Sequence, residues 1–221
     1  MDALKSRDYH DYFIKDGRFI GRFEEMYQNV EDPWHIETLG RRLDMDAALL
    51  LLRHIGRDFQ KVLDVGCGKG FFTSLLAEAV SGRILAGDVS ETAINQARRR
   101  YPDPRLEFFV LDLNRIEELP HPAGYFDLIV MAQTIWCVLP NLTRILGGFH
   151  RLLAPTGALL LSQHFLKPEE QKYGREILNT PQDLIRLLQE SGFDIKEYLE
   201  TNRFTNHHLA LWATPHYKDG L

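Results

Sequence analysis

The spacing of apolar residues changes once between positions 61 and 79. Val62, Leu63 and Val65 form a short apolar run of the kind a strand buried on both faces shows, and Phe72, Leu75, Leu76 and Ala79 follow at helical spacing. Gly66, Gly68 and Gly70 stand between them, so the segment predicts strand, tight turn and helix. Such glycines admit positive φ and let a ligand approach the backbone, while the first helical turn presents N–H groups with no intrahelical partner. The turn is a nucleotide-type site.

The same alternation continues along the chain. Strands are expected over residues 83–88, 106–111, 125–131 and 158–163, separated by helices over about 91–99 and 142–153. A helix capped by Thr180, with Pro181 and Asp183 behind it, runs to Ser191, and strands over 193–200 and 207–214 close the chain as an antiparallel hairpin. The pattern predicts an α/β, doubly wound, mostly parallel seven-stranded sheet. Upstream, Phe19, Phe23 and Tyr27 repeat every fourth residue and predict one amphipathic helix over about 18–29, ended by Glu31-Asp32-Pro33-Trp34. A second helix is expected over 37–55. Residues 1–58 therefore read as an N-terminal helical extension, and 59–221 as the nucleotide-binding domain. The extension either packs on the domain or serves as a lid whose aromatic rings help enclose a ligand.

The turn departs from the dinucleotide fingerprint: its third glycine comes one residue early, with Phe71 where that pattern wants glycine. Asp64, two residues before Gly66, would repel a pyrophosphate and attract an ammonium or sulfonium. The run KVLDVGCGKG resembles motif I of the class I S-adenosylmethionine-dependent methyltransferases at every position. That resemblance implies a Rossmann-like fold with S-adenosyl-L-methionine as cofactor, its methionine part against Gly66, Gly68 and Asp64, with Cys67 as a small filler beside it. Asp88 ends the second strand, where an acid takes ribose hydroxyls, with Val89 next to it; as a charge before a helix it could also be structural. By the same resemblance Asp112 would accept from the adenine amino group and the Leu113 N–H would meet a ring nitrogen, although Asp-x-Asn is also a turn opening. RLLAPTGALLL resembles the segment before the family's fifth strand, with Thr156 in place of a glycine.

Gln133, Thr134 and Trp136 follow the fourth strand, where an open parallel sheet binds ligands, and so are expected at the cofactor's reactive end. His164 ends the fifth strand over the same crevice and is the candidate base; a hydroxyl acceptor would want one, whereas an amine arriving neutral would not. Tyr12, Trp34 and Trp136 are candidate acceptor contacts, and His150, His207 and His208 are read as structural. The segment FEEMYQNVEDPW resembles the N-terminal part of the nodulation N-methyltransferase-like family, which acts on amino groups of carbohydrate-like acceptors. The expected activity is methyl transfer to a nitrogen or oxygen of a small molecule. A nicotinamide-dependent dehydrogenase and a noncatalytic nucleotide-fold binding protein are the alternatives.

Composition narrows this further. A formal net charge of −5 over 221 residues argues against a nucleic-acid partner. The chain has no apolar run long enough for a membrane span and no signal-peptide build at its start, so the expected location is cytoplasmic. Cys67 and Cys137 are too few for a disulfide framework or zinc site, and no metal is expected. Oligomeric state has no signature in the sequence.

Overall fold

The computed structural model describes residues 9–167, 169–171, 173–202 and 207–217, so the first eight residues of the expected extension lie outside it. The extension opens with α1 (His10–Phe13) and a small antiparallel hairpin of β1 (Ile14–Lys15) and β2 (Arg18–Phe19). The helix expected over 18–29 is therefore shorter, α2 (Phe23–Asn29). Asp16 and Gly17 both take positive φ, as a two-residue hairpin turn demands, and this local signal overrides the fourfold spacing of Phe19. The second expected helix is likewise broken at Gly40, into α3 (Ile36–Leu39) and α4 (Leu43–His54).

The sheet follows as β3 (Lys61–Val65), β4 (Arg83–Asp88), β5 (Leu106–Val110), β6 (Phe126–Ala132), β7 (Leu153–Phe165), β8 (Phe193–Asn202) and β9 (His207–Pro215), in the spatial order β5-β4-β3-β6-β7-β9-β8. Every neighbouring pair up to β7 is parallel, and β9 alone runs against the others. This is the expected seven-stranded, Rossmann-like sheet. The helices α5 (Phe71–Ala79), α6 (Glu91–Arg100), α7 (Ile135–Val138), α8 (Leu142–Leu152) and α9 (Pro181–Glu190) make the other connections, while a short 3-10 helix (Leu113–Glu118) leads from β5 to β6 and β8 passes to β9 without a helix. The turn expected at residues 154–157 is taken up inside β7, where the register against β6 shifts between Phe126 and Leu128.

Strand periodicity sorts the core into two layers. Leu63 and Val65 face α8 and α9 with Ile145, Phe149 and Leu184, while Val62 faces α4 and α5 with Ala48, Leu52 and Leu76. Thus α4, although it precedes the first long strand, is built into the sheet's own core. Asp64 shares a face with Val62 and so points into the helical layer, where Thr73 of α5 meets it. No helix among the described residues is long and apolar enough to cross a membrane.

Candidate functional site

Strand order reverses between β3, with β4 and β5 beyond it, and β6, which places a crevice beyond the carboxyl ends of β3 and β6. Gly66 and Gly68 occupy it with φ of +72° and +53°. A Cβ on Gly66 would lie 2.3 Å from Thr134 Oγ1, and one on Gly68 2.9 Å from the phenol oxygen of Tyr27. Asp88 fixes the turn: one carboxylate oxygen accepts from the Gly68 N–H at 2.9 Å and the other from the Ser90 N–H at 3.0 Å. Ser90 in turn caps α6.

Burial dominates the electrostatics. It pushes the Asp64 carboxyl up to about 7, with the neighbouring Asp88 adding to the rise, although the Thr73 hydroxyl donates to Asp64 at 2.6 Å and opposes it. The Asp88 carboxyl is raised by burial as well, against its backbone donors, and burial drives the Cys67 thiol and the Tyr27 phenol well above their ordinary values. Two carboxyls in one enclosed space favour a cationic ligand.

A single cavity of about 950 Å³ extends from this turn past Asp112 and Leu113 to Trp136 and His164. Of the residues singled out in the sequence, Asp64, Gly66, Cys67, Gly68, Asp88, Val89, Asp112, Leu113, Gln133, Trp34, Trp136 and His164 all line it. Tyr12 is placed elsewhere: α1 turns it inward onto Met26, Tyr27 and Ala93, and Tyr9 and Phe13 line the cavity instead. The Asp112 carboxylate accepts from the backbone and side-chain nitrogens of Asn114 at 2.9 and 3.0 Å. Trp136 is held by its indole N–H donating to the His164 carbonyl at 2.8 Å. Gln133, in the left-handed region at φ +56°, has its amide fully engaged: it accepts from the His164 and Gln163 nitrogens and donates toward Asp44 and Ser162.

Two further residues were not marked as candidate site residues in the sequence. Tyr27 covers Gly68, and its hydroxyl accepts from Trp34 Nε1 at 2.8 Å, which leaves its own proton to donate. Asp44, on the first turn of α4, presents a buried carboxylate to the far end of the cavity, held by the Arg42 guanidinium in two bonds of 3.1 Å. The one available signal for Asp44 was an acid beside arginines at a helix start, which is commonplace on solvent-exposed helices.

Comparison with known proteins identifies the architecture. A family model described as a methyltransferase domain matches residues 62–157. An uncharacterised methyltransferase of Synechocystis sp. is 32% identical over 152 residues, 62% of this chain and 68% of that protein. The chain belongs to the class I S-adenosylmethionine-dependent methyltransferase superfamily. Nodulation protein S of Rhizobium tropici is another relative, 32% identical over 136 residues, 59% of this chain. The chain spans about half the length of that relative, 54%. Among solved structures, a methyltransferase from Aquifex aeolicus shares the fold, with a TM-score of 0.65 at 24% identity, covering 83% of this chain and 98% of that one. The dehydrogenase alternative gains no support from these relatives.

S-adenosylmethionine is the cofactor of this methyltransferase fold, and the cavity fits it. The glycine turn brings backbone to the cavity wall at Gly66 and Gly68, and the buried carboxyls of Asp64 and Asp88 suit a group carrying positive charge and ribose hydroxyls.

Proposed function

We propose that this protein transfers the methyl group of S-adenosylmethionine to a nitrogen or oxygen atom of a small molecule. The observation that carries this reading is the continuity of one cavity from the glycine turn to His164 and an aromatic wall. Its volume, about 950 Å³, is near the upper end of the usual range for small-molecule sites, roughly 300 to 1,000 Å³, which suits a cofactor with a modest acceptor beside it. The lysine and arginine side chains that line it are engaged already: Arg42 by Asp44, and both Lys69 and Arg100 by Glu37. This supports an acceptor without phosphate or carboxylate groups, and so not a nucleic acid.

In this reading Gly66, Gly68 and Asp64 hold the methionine part of the cofactor, Asp88 its ribose, and Asp112 with the Leu113 N–H its adenine. When bound, the cofactor supplies an electrophilic methyl group on a sulfonium. The chain's own part is to orient the acceptor, exclude water and take a proton. His164 Nε2 is the group suited to take it, from a half-exposed position on the cavity wall. Phe13, Phe19 and Tyr173 form a mutually contacting aromatic wall, with Phe19 and Tyr173 stacked at 5.7 Å, and keep the acceptor end dry. Such faces also accommodate a cationic amine.

The extension acts as a lid in the same reading, over residues 9–40. Tyr27 and Trp34 lie over the glycine turn, and Glu24 accepts from Ser90 Oγ at 2.6 Å and from the backbone and hydroxyl of Thr92 at 3.1 and 2.6 Å.

The test is transfer of labelled methyl from S-adenosylmethionine to a panel of small amines and hydroxyl compounds. With a hydroxyl acceptor, His164→Ala should lower turnover about 10² to 10⁴-fold with cofactor affinity kept; with an amine the loss should be smaller and recovered at higher pH. A fully active His164→Ala variant at neutral pH would remove His164 as the base, and no transfer to any class would favour a noncatalytic binding protein.

A further inference from the structure

Rings from both flanks of the chain meet at one corner of the cavity. Phe13, Phe19 and Trp34 come from the N-terminal extension and Tyr173 from the segment between β7 and α9, so all four lie outside residues 62–157, which match the methyltransferase family. All four line the cavity. Phe13 stands nearly perpendicular to the other three, turned by 89° from Phe19 at 5.6 Å between centroids, by 85° from Trp34 at 6.3 Å and by 84° from Tyr173 at 6.4 Å. Phe19 and Tyr173 lie almost parallel, 19° apart. Each of the four residues is half-buried, whereas Tyr12 and Met26 of the same extension are buried in its core. Half-buried aromatic carbon in a concave site is surface left for a ligand.

The corner is held from two sides. The hairpin pairs Ile14 with Phe19, and the Ile20 N–H donates to the Phe13 carbonyl at 2.9 Å, which fixes the spacing of the two phenylalanines. Trp34 Nε1 donates to the Tyr27 hydroxyl at 2.8 Å, over the glycine turn. The Tyr173 hydroxyl donates to the Trp136 carbonyl at 3.2 Å, and the Tyr173 carbonyl accepts from the amide of the buried Gln171 at 3.1 Å. Trp136 is bonded in turn to the His164 carbonyl at the end of β7. The corner thus reaches from the glycine turn to the end of β7. These ties also spend polar hydrogens: the indole protons of Trp34 and Trp136 and the phenol proton of Tyr173 all go to protein oxygens. What the side chains offer a ligand is chiefly π surface.

A flat aromatic ring seated in such a corner stacks on one face and meets others edge-on at once, the two geometries in which aromatic pairs gain beyond their buried area. An aliphatic ring of equal size has the area alone. A sugar fares worse, since it carries a hydroxyl on nearly every carbon and each costs free energy when taken from water without a partner.

We propose that the methyl acceptor is a planar aromatic compound with an amine or hydroxyl on its ring, seated in the corner formed by Phe13, Phe19, Trp34 and Tyr173. The inference rests on the reading of this site as that of a small-molecule methyltransferase and names its substrate class. The acceptor's nitrogen or oxygen bonds the methyl carbon as the carbon–sulfur bond breaks, that bond's electron pair stays on sulfur, and the acceptor gives up its proton.

The test is binding by titration calorimetry to the full chain with S-adenosylhomocysteine bound. The probes are 2-naphthol, 2-naphthylamine, decahydro-2-naphthol, which keeps the carbon skeleton without its π faces, and glucosamine. Both aryl probes should bind at least about tenfold more tightly than the other two. Phe19→Leu and Tyr173→Leu should each weaken 2-naphthol by at least about fivefold with the affinity for S-adenosylhomocysteine kept. They lie on opposite flanks, so the test stays open should one of them fail to fold. Decahydro-2-naphthol or glucosamine binding as tightly as 2-naphthol, or aryl affinity unchanged in the folded variants, would overturn the proposal. Labelled methyl transfer separates it from the reading beneath: methylation of glucosamine or an alkyl amine in place of any aryl compound would overturn the aromatic assignment and leave methyl transfer standing, whereas aryl binding with no transfer to any class would overturn methyl transfer itself.

Discussion

The phenol oxygen of Tyr27 stands 2.9 Å from the point a Cβ on Gly68 would occupy. One residue belongs to the aromatic extension and the other to the glycine turn, so lid and turn meet at the place where the cofactor's methionine part is expected.

The first prediction follows from this contact. Gly68→Val would bring a branched side chain against that oxygen at a backbone φ of +53°, which L residues rarely adopt. Cofactor binding measured by calorimetry should be lost while the far-ultraviolet dichroism stays native. Tyr27→Phe keeps the ring and removes the hydroxyl, leaving Trp34 Nε1 without its acceptor. Affinity should fall by about five- to tenfold, the worth of one hydrogen bond of roughly 1 to 1.5 kcal/mol. Unchanged affinity in a folded Gly68→Val variant would take the turn out of the site.

The second concerns Asp64. Its folded value is about 7 against an ordinary 3.8, so the folded chain keeps a proton that the unfolded chain releases. The stability this confers is fully present below 3.8 and is lost as pH rises through about 7. Asp64→Asn should therefore flatten the fall in unfolding free energy over that window, as read from denaturant titrations of the ligand-free protein. A bound sulfonium or ammonium favours the carboxylate, so S-adenosylmethionine should release a proton on binding near pH 6.5, seen as a buffer-dependent heat. The same slope in Asp64→Asn as in the parent would assign the burden elsewhere.

What the sequence disclosed divides along the same lines. The glycine turn, the acid before it and Asp88 at the end of β4 were legible because each rests on a few adjacent residues whose backbone needs are specific. The sheet was legible because strand and helix periods alternate with clear punctuation. The extension was misjudged where two local signals competed: the spacing of Phe19, Phe23 and Tyr27 favoured a helix, and Asp16-Gly17 produced a hairpin. Tyr12 was drawn toward the acceptor on residue type alone, and helix phase turned it into the core. Gln133, Trp136 and His164 were legible at the far end of the cavity, but the place of Asp44 there was hidden for a different reason: it meets Gln133 across 89 residues and Gln133 meets His164 across 31, a pairing that no window along the chain contains.

The last prediction tests the lid through its latch. Burial alone would raise the Glu24 carboxyl, yet donors from Ser90, Thr92 and Gln28 outweigh it and hold the group down at about 2. Depressed from an ordinary 4.5, it contributes stability that is present above 4.5 and lost as pH falls through about 2. The latch is therefore closed at every working pH. Glu24→Ala would leave Ser90 Oγ and Thr92 without that acceptor at the start of α6, next to Asp88, while the Lys69 contacts to Glu37 and the Glu31 carbonyl remain. Loosening one of these ties should speed release of S-adenosylhomocysteine at least about threefold with little change in its association rate, since loss of covering contacts acts mainly on dissociation. Stopped-flow tryptophan fluorescence can follow this, because Trp34 is bonded to Tyr27 within the lid. The acceleration should be the same between pH 5 and 8. A dissociation rate equal to that of the parent would mean that residues 9–40 cover the cavity without gating it, and the extension would then be packing alone.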